Sequence, residues 1–147
     1  MPERRVRTIT ESSFAKYGVL IRMPPEGDTD KSRSNFAIVL PVKSQGWYLG
    51  YLMCRNKEVT GLHCHPESKE TFEPVRGVPL LVVASPGAPN EYEVFLLDRP
   101  VCLFEGVWHA EMTLSDEAEI KIIENYSQPI VSKDYALAKP IRIGALS

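Results

Sequence analysis

Residues 61–77 read Gly61-Leu62-His63-Cys64-His65-Pro66-Glu67-Ser68-Lys69-Glu70-Thr71-Phe72-Glu73-Pro74-Val75-Arg76-Gly77, and two of the chain's three histidines fall inside them. Successive side chains of an extended strand point to opposite faces, so His63 and His65 share one face and Cys64 takes the other. Pro66 and the polar Glu67-Ser68-Lys69 read as a turn, after which Glu70 opens the next strand and can face back toward both rings. The hairpin supplies three ligands of a metal clamp. His109, the remaining histidine, completes a three-nitrogen, one-oxygen set of the kind that suits Zn, Fe, Ni, Mn or Co rather than Ca or Mg. Four protein ligands leave two positions on a six-coordinate ion, enough to chelate a 2-hydroxy or 2-keto carboxylate or to hold water or dioxygen. A surface strand carrying unengaged histidines is the ordinary alternative. Against it, every histidine of the chain belongs to the constellation.

Outward from the hairpin, short strands follow one another: 36–42, 47–54, 58–65, 71–75, 80–84, 92–97, 101–104, 108–113 and 120–126, separated by breakers such as Ser44-Gln45-Gly46, Arg76-Gly77 and Ser85-Pro86-Gly87. That spacing predicts an all-β fold, an antiparallel barrel or jelly roll. Before it, Thr10 can cap a short helix that ends at Gly18, with Ile9 stapled onto Phe14. Residues 24–35 are polar and broken by Pro, Gly and Asp, as a loop would be. One domain over 1–147 is expected: helix and loop over 1–35, barrel over 36–126, and a C-terminal arm over 127–147 lying against the barrel or a neighbouring subunit.

The 147 residues carry 17 basic and 19 acidic side chains, a net charge of −2, which gives no broad positive field for nucleic acid or an anionic membrane. Neither partner is expected. No apolar run approaches the roughly 20 residues needed to span a bilayer. The opening residues lack a leader core, and three cysteines, Cys54, Cys64 and Cys102, form no disulfide framework, so the expected compartment is the cytoplasm.

Around the ligands, Glu105 and Glu111 flank His109 and are candidate general bases. Trp108 is a candidate roof over the pocket. Lys69, Arg55 and Arg76 could pair with a substrate carboxylate. Tyr48 and Tyr51 have opposite parity on one strand, so at most one faces the interior; Tyr51 is the candidate for the substrate.

The pattern His63-x-His65-x4-Glu70-x6-Gly77 resembles the first motif of the cupin superfamily, and Gly106-Val107-Trp108-His109 resembles the end of its second. The resemblance implies a small double-stranded β-helix barrel with those three histidines and the glutamate on a divalent metal. Along most of the chain, Phe14 to Ile21, His65 to Pro74 and Gly106 to His109 are similar to three landmarks of the ureidoglycolate lyase family, also called ureidoglycolate hydrolase. This implies a dimeric, metal-dependent enzyme of purine catabolism that splits ureidoglycolate into glyoxylate and urea. His63 and Glu70 depart from the glutamate and glutamine common there, which makes a fuller metal site. The same ligand set also serves iron-dependent dioxygenases, metal-dependent isomerases and non-catalytic small-molecule-binding cupins.

Overall fold

The structure, a computed structural model, describes residues 5–126 and 129–143. Strand β1 (Val6–Thr8) leads into helix α1 (Glu11–Phe14), and the strands that follow are β2 (Gly18–Leu20), β3 (Gly46–Cys54), β4 (Glu58–Cys64), β5 (Glu70–Arg76), β6 (Pro79–Ala84), β7 (Glu93–Leu96), β8 (Val101–Leu103), β9 (Trp108–Thr113), β10 (Ala118–Tyr126) and β11 (Lys133–Arg142). They form two sheets, ordered β1-β7-β6-β9-β4-β11 and β2-β8-β5-β10-β3. The sheets face each other over an apolar interior. They do not close, among the described residues, into the continuous barrel that the strand spacing suggests.

The helix is shorter than expected. Its start follows the capping logic: Thr10 accepts from the Ser13 backbone N–H while Ser13 reaches back to that of Thr10. Phe14 and Tyr17 drop into the interior against Phe95, with ring centroids 5.2 Å and 5.9 Å from it. Strand β6 explains its unbroken apolar run: Leu81 and Val83 face the interior, while Leu80, Val82 and Ala84 enter a second core on the outer face of the six-stranded sheet.

Three expectations need correction. Residues 36–42 form no strand; no neighbour pairs with them, and Phe36 and Ile38 are exposed. Residues 133–142, expected as part of an arm, are instead an edge strand on β4, and β1 adds a parallel pair with β7. The sheets therefore draw on residues before 36 and after 126. The β11 pairing advances from Ala136 to Ile141 while β4 moves only from Gly61 to Val59, and this irregularity carries Leu137 and Ile141 onto the outer core. Residues 1–4, part of the opening read for a leader, and 127–128 and 144–147 of the arm lie outside the described residues.

Candidate metal centre

His63 and His109 are direct cross-strand partners on β4 and β9. His65 follows β4, and its carbonyl accepts from the Gly106 N–H at 3.0 Å, so the turn after β4 is tied to the turn before β9. Gly106 adopts φ +77° there, a conformation that a side chain would strain. Ring centroids of His63, His65 and His109 lie 4.3 to 5.8 Å apart. Glu70 enters from the opposite sheet: its Oε2 is 3.1 Å from His65 Nε2, and its Oε1 is 3.7 Å from His109 Nε2. The structure thus brings His63, His65, Glu70 and His109 together.

The ring nitrogens are held in an order that suits a metal. His109 Nδ1 meets the Val107 carbonyl at 3.1 Å. A carbonyl only accepts, so Nδ1 carries the proton and Nε2 presents a lone pair. His65 Nδ1 likewise meets the Val131 carbonyl at 3.3 Å and the Ser132 hydroxyl at 3.0 Å. Burial, with His63 adjacent, pushes His109 down to about 3, so the ring is neutral. Burial and the neighbouring His65 also lower His63, whereas Glu70 beside it raises His65.

Glu70 is pushed up to about 7 by burial, which outweighs the pull of His65. Its 3.1 Å approach to His65 is short but not aligned as a hydrogen bond, and Glu70 Oε2 and His109 Nε2 are both buried without a hydrogen-bond partner. Orphaned buried polar atoms of this kind are costly unless something binds them. A cation in this space would satisfy both atoms, and the donor set fits a divalent transition metal.

One further carboxylate was not selected from the sequence. Glu124 on β10 is wholly buried and lies in one cross-strand row with Glu70 on β5 and Tyr48 on β3. His65, Glu70 and Glu124 can bring ligand atoms within 4.8 Å of one another, as can His63, His65 and His109. The only cue available was parity along residues 118–126, where even positions share the buried face.

A cleft of about 420 Å3 is lined by Thr60, Gly61, Leu62, His63, Asp134, Tyr135 and Ala136, and of the four ligands takes in His63 alone. Of the other candidates, Glu111 lies two residues beyond His109 and so shares its inward face. Burial pushes its carboxyl up to about 7. Glu105 is at the surface in an ion pair with Lys69; partial burial raises its carboxyl, but Lys69 holds it below its ordinary value.

Trp108, Tyr51 and Arg76 do not line the interior. Trp108 has the opposite parity to His109, donates to the Pro86 carbonyl at 2.9 Å and packs beside Tyr135 in the outer core. Tyr51 points outward and donates to Glu119, while Tyr48 is the tyrosine that faces in. Arg76 is exposed beside Glu119 at the far end of β5. Arg55 pairs with the exposed Glu117.

Two facing, largely antiparallel sheets that gather a His-x-His pair, a glutamate and a distant histidine between them define a cupin-type protein. Residues 2–143 match the ureidoglycolate lyase family, and the chain belongs to it. No curated protein matches. Solved structures similar in shape include the sugar 3,4-ketoisomerase QdtA from Thermoanaerobacterium thermosaccharolyticum, with 16% identity over 62% of this chain and 66% of that one and a TM-score of 0.47. A dTDP sugar isomerase from Desulfovibrio desulfuricans G20 has 13% identity over 89% and 84%, TM-score 0.46. NovW, a 4-keto-6-deoxy sugar epimerase from Streptomyces spheroides, has 20% identity over 72% and 54%, TM-score 0.45.

Proposed function

We propose that this chain is a metal-dependent lyase that cleaves the carbon–nitrogen bond of a small hydroxy-acid ureide, ureidoglycolate or a near analogue, to give glyoxylate and urea. The observation that carries the reading is the buried donor set with two orphaned atoms, Glu70 Oε2 and His109 Nε2, in a chain of this family. His63, His65, Glu70 and His109 would hold a divalent transition metal such as Zn, Fe, Ni or Mn. The ion supplies a Lewis acid that makes a substrate hydroxyl acidic near neutral pH.

The protein's part is to position the substrate and move a proton. Glu111 faces inward beside His109, and a carboxyl held near 7 can both accept and return a proton at physiological pH. It takes the hydroxyl proton as the carbon–oxygen double bond forms and the carbon–nitrogen bond breaks, then returns it to the departing urea nitrogen. Glu105 is the weaker candidate because Lys69 already binds it. Lys69 can meet a substrate carboxylate only by leaving Glu105.

The test is to incubate metal-loaded protein with ureidoglycolate and measure glyoxylate. We expect release that falls on Glu111→Gln substitution with metal content unchanged; no product above the uncatalysed background overturns the reading. The partner we propose is a second copy of the chain at β3. This charge-free edge strand leaves Trp47, Leu49, Tyr51 and Met53 exposed on one face. Sedimentation of Leu49→Glu against the parent chain tests it, with dissociation expected and an unchanged state counting against it. Among the described residues no helix is long and apolar enough to cross a membrane.

A further inference from the structure

Glu124 shares the buried space of the candidate metal centre, and the chemistry around it is unusual. Glu70 and Glu124 are adjacent on paired strands, and both are buried. Among the described residues, their only ion-pair partners are His65 and His109. Two carboxylates side by side away from water repel unless a shared proton or a cation lies between them. No lysine or arginine among these pairs supplies that charge.

The contacts of Glu124 fix its direction. Tyr48 donates to Oε1, and the Ser68 hydroxyl donates to Oε2 at 2.5 Å. Each carboxylate oxygen has a second lone pair, so both remain able to bind. Oε1 lies 3.8 Å from His65 Nε2, on the side where Glu70 Oε2 also lies without a hydrogen-bond partner. Ser68 comes from the turn between the two ligand strands, and Tyr48 from the neighbouring strand β3, so the carboxylate is clamped from two directions. Such clamping of a ligand by surrounding donors is how metal sites orient their first contacts.

We propose that Glu124 is a fifth protein donor to the metal, beside His63, His65, Glu70 and His109; this rests on the metal-dependent reading above. Five donors of three nitrogens and two oxygens suit an ion that accepts six ligands, such as Mn, better than a tetrahedral one. They leave one position where four donors leave two.

The test titrates metal-free protein with Mn2+ and counts the exchangeable waters on the bound ion by water-proton relaxation, for the parent chain and for Glu124→Gln. We expect the variant to bind Mn2+ at least about tenfold more weakly, the range seen when the surroundings of a metal site are altered, and to carry one more exchangeable water. An unchanged water count overturns the proposal even where affinity falls, because a carboxylate acting only from behind a ligand would weaken binding without opening a position. Should circular dichroism show that Glu124→Gln does not fold, Glu124→Asp, which keeps the charge but withdraws the oxygens, is read in the same way. If the parent chain binds neither Mn2+ nor Zn2+, the metal reading and this proposal fall together; if it binds and the variants keep its water count, only this one does.

Discussion

The interior between the two sheets has two unlike parts. In one, Phe14, Tyr17 and Phe95 pack edge to face beneath α1, with Leu81, Leu97 and Val101 around them. In the other, His63, His65 and His109 form one cluster and His65, Glu70 and Glu124 a second that shares His65 with it. Phe72 stands at the boundary, wholly buried, with its ring 5.3 Å from that of His109. The apolar part is satisfied by contact, with the Tyr17 hydroxyl as its polar tip, donating to Glu93. The polar part retains orphaned atoms and adjacent carboxylates, which is costly for a fold and useful for a site. Stability and chemistry are thus divided along one interior, and substitutions can separate them.

The largest expected effect falls on the apolar part. Phe95→Ala removes a ring in edge contact with both Phe14 and Tyr17 and should destabilise the protein by about 3–5 kcal/mol, as large-to-small changes in cores do. Urea denaturation measures it. A loss under about 1 kcal/mol would mean that the aromatic cluster is not the fold's anchor.

Glu111→Gln comes next and has the opposite sign at neutral pH. The folded carboxyl titrates at about 7, above its ordinary 4.5. The stability it contributes is therefore fully present below 4.5 and is lost as pH rises through 7. The variant lacks that loss, so it should match the parent chain at pH 4 and exceed it at pH 8 by on the order of 3 kcal/mol. Parallel stability curves for the two proteins across that range would show that Glu111 meets water in the folded state.

These expectations bear on how far the chain could be read without its structure. The metal ligands were legible because His-x-His on a strand puts two rings on one face, and because few other side chains compete for the role. The strands from Trp47 onward were legible from alternation and breakers. What escaped depends on long-range pairing. Residues 36–42 have the composition of a strand but no partner, whereas Lys133–Arg142 has an irregular composition and gains its strand character from β4. Glu124 escaped because a glutamate at a strand end looks solvated until Tyr48 and Ser68, 76 and 56 residues away, are brought beside it. Trp108 was misplaced through its proximity to His109, although neighbours on a strand face opposite ways. Arg76 shares the parity of Glu70 but lies at the far, exposed end of β5, and parity alone does not choose between Tyr48 and Tyr51.

A smaller effect on stability should come from His63→Ala with His65→Ala. These rings are partly exposed and contribute little to either core, so the metal-free double variant should lie within about 1 kcal/mol of the parent. Metal content, measured on tag-free protein, should disappear. A double variant that keeps its metal places the ion elsewhere and removes the polar part of the interior from the chemistry.

The finest discrimination uses two tyrosines three residues apart on β3. Tyr48→Phe removes a hydroxyl that donates to the wholly buried Glu124, and an acceptor stranded in this way costs about 1–3 kcal/mol. Tyr51→Phe removes a hydroxyl that donates to Glu119 at 2.9 Å on the exposed face. In the single chain water replaces that donor and Glu119 keeps its ion pair with Arg76. At concentrations where the copies are apart, the change should therefore stay within about 0.5 kcal/mol and leave metal affinity alone. Tyr48→Phe should weaken metal binding as well, because Glu124 then loses one of the two contacts that aim it. Thermal shifts with and without Mn2+ read both effects in one experiment. Equal responses from the two variants would mean that the row Tyr48–Glu124–Glu70 is not a unit, and the division between the two parts of the interior would then have to be drawn closer to the histidines.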